Sequence, residues 1–310
     1  MLTVLYFVLG LVLLYFGADS LVKGGASIAL KLNVSPLVIG LTLVAYGTSA
    51  PEMVVSIDAA LKGLGDVSIG NVVGSNICNI ALILGLCAVI TPLRVNPELL
   101  KFDIFVMIGS AGCLLGFFIL NSGVNRVEGA CLLLAAISYT LWSFYASRKG
   151  GMKEKEDDLP KVQYGILLSV IFVLGGLAAL VGGAKLFVNS AVRIAEFCGV
   201  SEAVIGLTVV AIGTSLPELA TSVVAAIKKE QDIAIGNVIG SNIFNVLAIL
   251  GAAPLITPVR AEGISWGDMG LMLAISILLY PIMKSGLEIN RKEGIFFLAV
   301  YGIYTVCLII

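Results

Sequence analysis

Apolar residues run in blocks of roughly 20 along almost the whole chain, broken by short polar stretches. That is the length of a helix that crosses a bilayer. The blocks predict spans at 2–30, 37–60, 67–90, 102–120, 127–147, 164–192, 204–227, 233–256, 266–283 and 294–310. The longest polar break, 148–163, is rich in Lys, Asp and Glu and stands near the middle of the chain. It predicts a solvated linker between a first five-helix unit, 1–147, and a second, 164–310. The expected fold is an all-α integral membrane protein of ten transmembrane helices.

The two units repeat at an offset of 166 residues. VIGLTLVAYGTSAPEMVVSI (38–57) matches VIGLTVVAIGTSLPELATSV (204–223), and SIGNVVGSNICNI (68–80) matches AIGNVIGSNIFNV (234–246). ITPLR (90–94) matches ITPVR (256–260). Chance likeness between apolar helices would not preserve the polar words GTS-x-PE and GN-x-x-GSN-x-x-N. Five spans is an odd number, so the second unit enters the membrane the other way up. Inverted repeats of this kind build secondary transporters, with the substrate site near the midplane where the repeats meet.

Composition agrees. The chain is 59% hydrophobic and only 13% charged, with mean hydropathy +1.06, against about 25% charge in a globular domain. It has no histidine, which removes Ser-His and Cys-His catalysis and imidazole metal sites. A net charge of −1 offers no basic surface for nucleic acid. The six cysteines form no CxxC pair and read as small core residues. The first apolar run is too long for a signal peptide, so no cleavage is expected. With the N-terminus outside, the inner loops hold thirteen of the 19 Lys and Arg and the outer loops four. The positive-inside rule then places both termini outside and the linker in the cytoplasm, in a multi-pass protein of the cell membrane.

Glu52 and Glu218 fall mid-span. A carboxylate at that depth costs about 2.5–3.5 kcal/mol on insertion scales, so two symmetric ones point to a cation site, a proton relay or a buried ion pair. Residues four apart share a helix face. Thr48, Glu52 and Ser56 make one stripe, repeated by Thr214, Glu218 and Ser222; Asn71, Ser75 and Asn79 make another, repeated by Asn237, Ser241 and Asn245. Pro51 and Pro217 each lack an N–H for the carbonyl four residues back, on Gly47 and Gly213, so both helices should open beside the glutamates. Glycines 70, 74, 236 and 240 would allow close helix approach. The donor set is all oxygen, which suits hard cations such as Na⁺ and Ca²⁺. Emptied, two adjacent carboxylates repel and must be refilled by Na⁺ or H⁺, which favours exchange over leakage.

At these residues the chain resembles the sodium/calcium exchangers of the cation/calcium exchanger superfamily. GTSAPE (47–52) with GNVVGSNICN (70–79), and GTSLPE (213–218) with GNVIGSNIFN (236–245), are similar to that family's two α-repeats. The resemblance implies a secondary transporter, not an enzyme, in which Na⁺ entry drives Ca²⁺ export by alternating access. It implies three Na⁺ per Ca²⁺ and an electrogenic cycle. It implies that Glu52 and Glu218 bind Ca²⁺ with carbonyls of Thr48 and Thr214. One Na⁺ site would use Ala45, Thr48, Glu52 and Ser75, and its mirror Ala211, Thr214, Glu218 and Ser241. Ser49, Ser215, Asn79 and Asn245 would complete the central polar cluster. Spans one and six would be a gating pair that slides across the core. No cofactor is implied, only the transported ions and the lipid bilayer, and a monomer is expected. Asparagine at 245, where potassium-dependent relatives carry aspartate, weakens the case for K⁺ transport.

H⁺/Ca²⁺ antiport is the alternative, since the same glutamates could carry protons; a cation channel is a more distant one. Gly63-Leu64-Gly65-Asp66 spells the GxGD of intramembrane proteases, but Asp66 repeats as Asp232 before a helix, where an N-cap role is expected. Asp19 corresponds to Lys185; a gating ion pair is one reading and a local role the stronger one. Asp58 is expected near a span end.

Overall fold

The computed structural model describes residues 2–150, 164–198, 213–261 and 263–309, and it is almost wholly helical. The first repeat contains α1 (Leu2–Leu32), then a segmented helix made of α2 (Pro36–Ile39), a π-helical turn (Gly40–Val44), α3 (Ala45–Thr48) and α4 (Ala50–Leu61). It continues through α5 (Gly65–Ile77), a π-helical stretch (Cys78–Leu84), α6 (Gly85–Ile90), α7 (Asp103–Asn121) and α8 (Arg126–Gly150). The second contains α9 (Ile166–Phe197), α10 (Leu216–Ile227), α11 (Gln231–Phe244), a π-helical turn (Asn245–Ile249), α12 (Leu250–Ile256), α13 (Trp266–Lys284) and α14 (Arg291–Ile309). Helices occupy nine of the ten predicted spans; the other, 204–227, is described only from 213 onward. By length and apolar character alone, seven described helices can cross a membrane, or eight counting the bent pair Pro36–Thr48 and Ala50–Leu61. Residues 148–150 continue α8 instead of opening the linker, most of which lies outside the described residues.

Burial sorts the helices into a centre and a shell. Within the span Gln231–Ile256 residues 233–250 are all buried, and Gly65–Ile90 is largely enclosed. The remaining long helices present Leu, Val, Ile and Phe outward, as at Leu2, Leu120, Leu167 and Ile303. A helix apolar on all sides is stable only in a core or in lipid. Cys78 and Cys87 are buried as expected, whereas Cys113, Cys131, Cys198 and Cys307 are exposed. The core reading of the cysteines is therefore corrected for those four: a small uncharged thiol is tolerated on the outside of the bundle and, for Cys198, at the end of α9.

Two small sheets tie the repeats together crosswise. β1 (Leu93–Arg94) pairs antiparallel with β4 (Glu288–Ile289), and β2 (Gly123–Val124) with β3 (Val259–Arg260). β1 and β3 are equivalent at the offset of 166, but β2 and β4 at 165. The shorter offset also relates NRVEG (125–129) to NRKEG (290–294). In both, the asparagine side chain accepts backbone N–H groups of the first turn and the glutamate reaches back to the asparagine N–H at 2.8 Å. That is a capping box. A one-residue deletion before α13 thus hides half of the repeat from an ungapped comparison.

Helix ends repeat too. After α4, Leu64 N–H bonds Ala59 C=O and Gly63 N–H bonds Ala60 C=O; after α10, Glu230 bonds Ala225 and Lys229 bonds Ala226 in the same pattern. Each is a Schellman ending with its central residue left-handed: Gly63 at φ 72° and Lys229 at φ 66°.

The long helices α1 and α9 pack together through glycines spaced by seven. A Cβ at Gly10 would lie 2.7 Å from Phe187 N, at Gly17 2.9 Å from Gly176 O, and at Gly24 2.8 Å from Ser169 O. Small residues let backbones approach in lipid. Gly236 likewise meets Leu37 O at 2.8 Å, and Gly240 sits against Leu41. Gly74 has no described neighbour within 4 Å.

Candidate functional site

The segmented helix breaks where the prolines predict. Ser49 (φ −82°, ψ 7°) separates α3 from α4, which turns away by 48°. Ser215 (φ −85°, ψ 7°) precedes α10 in the same way. Pro51 and Pro217 stand in the first turn of each new helix, where a missing N–H costs nothing. Glu52 and Glu218 share those first turns, so each carboxylate lies at a helix's positive end.

The two glutamates are about 1% exposed, and the repeats hold them crosswise. Ser49 Oγ donates to Glu218 Oε1 at 2.8 Å; Ser215 Oγ donates to Glu52 Oε1 at 3.1 Å. Thr214 approaches Glu52 and Thr48 approaches Glu218 in the same crossed sense. Ser215 Oγ also lies 3.4 Å from Ser75 Oγ. Glu52 Oε2, Glu218 Oε2, Ser241 Oγ, Asn79 Oδ1 and Asn245 Oδ1 are all buried without a hydrogen-bond partner among the described residues. An orphaned buried oxygen is costly, and these five are all able to accept or to ligate a cation. Among the described residues no Lys or Arg pairs with either glutamate, which removes the buried ion-pair reading.

The stripes divide into two jobs. Thr48 belongs to the helix before the break, so Thr48, Glu52 and Ser56 are not one continuous face. Ser56 and Ser222 instead receive Asn71 Nδ2 and Asn237 Nδ2, each at 2.9 Å. The same amides reach the backbone carbonyls of Glu52 (3.1 Å) and Glu218 (3.4 Å). These asparagines brace α4 and α10 against α5 and α11. Thr48 Oγ donates to Asn237 Oδ1 at 3.1 Å and lies 3.3 Å from Ala45 O, which also accepts Ser49 N–H at 3.0 Å. Gly47 O receives a contact from the Ser49 N–H as well, so neither the Ala45 nor the Gly47 carbonyl is wholly free. Ala211 lies outside the described residues.

Asn76 and Asn242 escape a reading by helix face. They lie off the four-residue stripes but inside the repeated word GSN-x-x-N, and they contact Asn245 and Asn79. The expected N-cap role of Asp66 is corrected. Asp66 sits inside the first turn of α5, behind Leu64, and accepts Gly263 N–H of the other repeat at 2.8 Å. Asp232, likewise inside the first turn of α11, binds Asn96 Nδ2 at 3.1 Å. These carboxylates fasten opposite repeats. Asp19 pairs with Lys23 at 2.7 Å and with Lys228 on the end of α10, not with Lys185. Asp58 pairs with Lys62 at 2.6 Å on an exposed helix end, as expected.

A membrane bundle of two inverted repeats, with paired carboxylates enclosed at their junction beside a broken helix, defines a secondary transporter. The chain belongs to the sodium/calcium exchanger protein family, whose model matches residues 2–145 and 168–310. It is 36% identical to the sodium/calcium exchanger MaX1 of Methanosarcina acetivorans, over 98% of this chain and 97% of that one. It is 39% identical to a membrane protein of Methanocaldococcus jannaschii, covering 96% and 94%. Among solved structures it is similar to the sodium-calcium exchanger NCX_Mj soaked with zero Na⁺ and Ca²⁺, with TM-score 0.85, 38% identity and 99% coverage of both chains. A form of NCX_Mj soaked with 10 mM Na⁺ and 10 mM Sr²⁺ gives TM-score 0.83 at 39% identity and 97% coverage of both chains.

Proposed function

We propose that this chain exchanges Na⁺ for Ca²⁺ by alternating access, three Na⁺ against one Ca²⁺, so that each cycle moves net charge. The observation that carries this reading is the crossed glutamate pair. One oxygen of each is held by the opposite repeat's serine, and the other is buried with no partner and no paired Lys or Arg among the described residues. Two negative charges with flexible oxygen ligands around them match one Ca²⁺. Glu52 and Glu218, with Thr48 and Thr214, bind the divalent ion. Ala45, Thr48, Glu52 and Ser75 bind one Na⁺; Ala211, Thr214, Glu218 and Ser241 bind its mirror. Emptied of cations, the pair must refill before it reorients, which couples the two fluxes. The protein works as a monomer with both termini outside, and α1 and α9, joined to each other through their glycines, slide over the core as a pair.

Reconstitution into vesicles tests the reading. An imposed Na⁺ gradient should drive ⁴⁵Ca²⁺ uptake together with a membrane current. Uptake driven by pH alone would establish H⁺/Ca²⁺ antiport instead. Glu52→Gln and Glu218→Gln should each lower uptake about 100-fold or more, since a charged ligand is worth about 3 kcal/mol. Near-normal uptake in either variant rejects the site.

A further inference from the structure

Asn76 and Asn242 stand one turn before Asn79 and Asn245, and all four are at least 97% buried. Asn242 Oδ1 accepts Asn79 Nδ2 at 3.1 Å. Asn76 Oδ1 accepts Asn245 Nδ2 at 3.0 Å. The two bonds are the same bond made twice, each crossing from one repeat to the other. The outer amides are themselves oriented. Asn76 Nδ2 donates to Asn242 C=O at 3.2 Å and lies 3.9 Å from Met272 Sδ; Asn242 Nδ2 lies 3.7 Å from Met107 Sδ. Met107 and Met272 are equivalent at the offset of 165. Turning Asn242 over would set N–H against N–H at Asn79 and oxygen against a thioether, so the chain of amides has one satisfactory direction.

The consequence appears at the inner pair. With their N–H₂ groups engaged, Asn79 and Asn245 are left with Oδ1 atoms that are buried and, among the described residues, unpartnered. An amide turned the other way would offer a cation its N–H groups. We infer that Asn76 and Asn242 are positioning residues: each holds the opposite repeat's Asn245 or Asn79 so that oxygen, not N–H₂, faces the transported ion. This rests on the cation-binding reading above and adds to it a reason for the second asparagine in GSN-x-x-N.

The test uses the whole protein in vesicles. Asn242→Leu keeps the shape and removes the acceptor; the Ca²⁺ KM should rise about tenfold, the scale of one hydrogen bond to a binding group. In an Asn79→Asp background both head-group atoms are oxygens and orientation no longer matters. There Asn242→Leu should change KM less than about twofold. An equal rise in both backgrounds marks a merely structural role and overturns the inference. Asn242→Asp, which retains the acceptor oxygen, should keep KM within about threefold of wild type. A tenfold rise there overturns it too, even should the leucine variant not fold. If Glu52→Gln leaves uptake intact, the cation site itself is wrong; if it abolishes uptake while the asparagine cycle is additive, only the positioning role falls.

Discussion

Ser49 donates its hydroxyl to Glu218 across the repeat boundary at 2.8 Å, and Ser215 returns the same bond to Glu52 at 3.1 Å. Neither repeat therefore completes its own acidic site. Each presents a glutamate whose orientation is fixed by the other, which couples the halves where the ion binds.

Ser49→Ala should accordingly weaken Ca²⁺ binding about tenfold or more, since hydrogen bonds to charged groups are worth about 1.5–3 kcal/mol. The effect should shrink in a Glu218→Gln background, where a neutral amide oxygen replaces the carboxylate as acceptor, but persist in full in Glu52→Gln, because only the first pair is in contact. Calcium titration of purified protein by calorimetry reads both cycles. Equal coupling to the two glutamates would reject the crossed geometry.

Much of this centre was legible because its physics is local. Proline is favoured in the first turn of a helix, and Pro51 and Pro217 each stand there beside a glutamate, whereas Pro254 and Pro281 are carried inside continuous helices. What was not legible depended on the partner repeat. Ser56 and Ser222 share spacing with ligands yet bind Asn71 and Asn237, and spacing on one helix does not say which neighbour arrives. Asp66 and Asp232 look like caps, but their acceptors serve the opposite repeat's loops. The likeness of the outer helices was masked by one deleted residue, which shifts every position of α13 and α14 out of register.

Lys229 holds a left-handed conformation, φ 66°, at the turn where its counterpart is Gly63. A side chain there costs about 1–2 kcal/mol relative to the right-handed region. Lys229→Gly should stabilise the protein by about 1 kcal/mol after the added freedom of the unfolded chain is offset. A melting curve in detergent should move up, and Gly63→Lys should move it down. A lower melting point for Lys229→Gly would show that the lysine side chain outweighs its backbone strain.

Gly17 faces Gly176 so closely that a Cβ would stand 2.9 Å from the Gly176 carbonyl oxygen. Gly17→Val should cost about 1–3 kcal/mol by overpacking and slow Na⁺-driven Ca²⁺ uptake, because the α1–α9 pair loses its smooth face. A methyl group at Gly112, in α7, would meet no described atom within 4 Å. Gly112→Ala should therefore leave uptake unchanged and stability equal or higher by about 0.5–1 kcal/mol. Matching losses in the two variants would reject the packing argument.

Sidedness follows from charge. Lys62 ends α4 on the lysine-poor face, whereas Lys101 belongs to the lysine-rich loops, and both side chains are more than 60% exposed. Positive charge is retained on the cytoplasmic side during insertion, so residue 62 should be outside and residue 101 inside. In a transport-competent variant without the six native cysteines, Lys62→Cys should react with a membrane-impermeant maleimide on intact cells. Lys101→Cys should react only after the cells are opened. The reverse pattern would place the termini inside and invert the direction in which the linker faces, since an even number of crossings keeps both ends on one side.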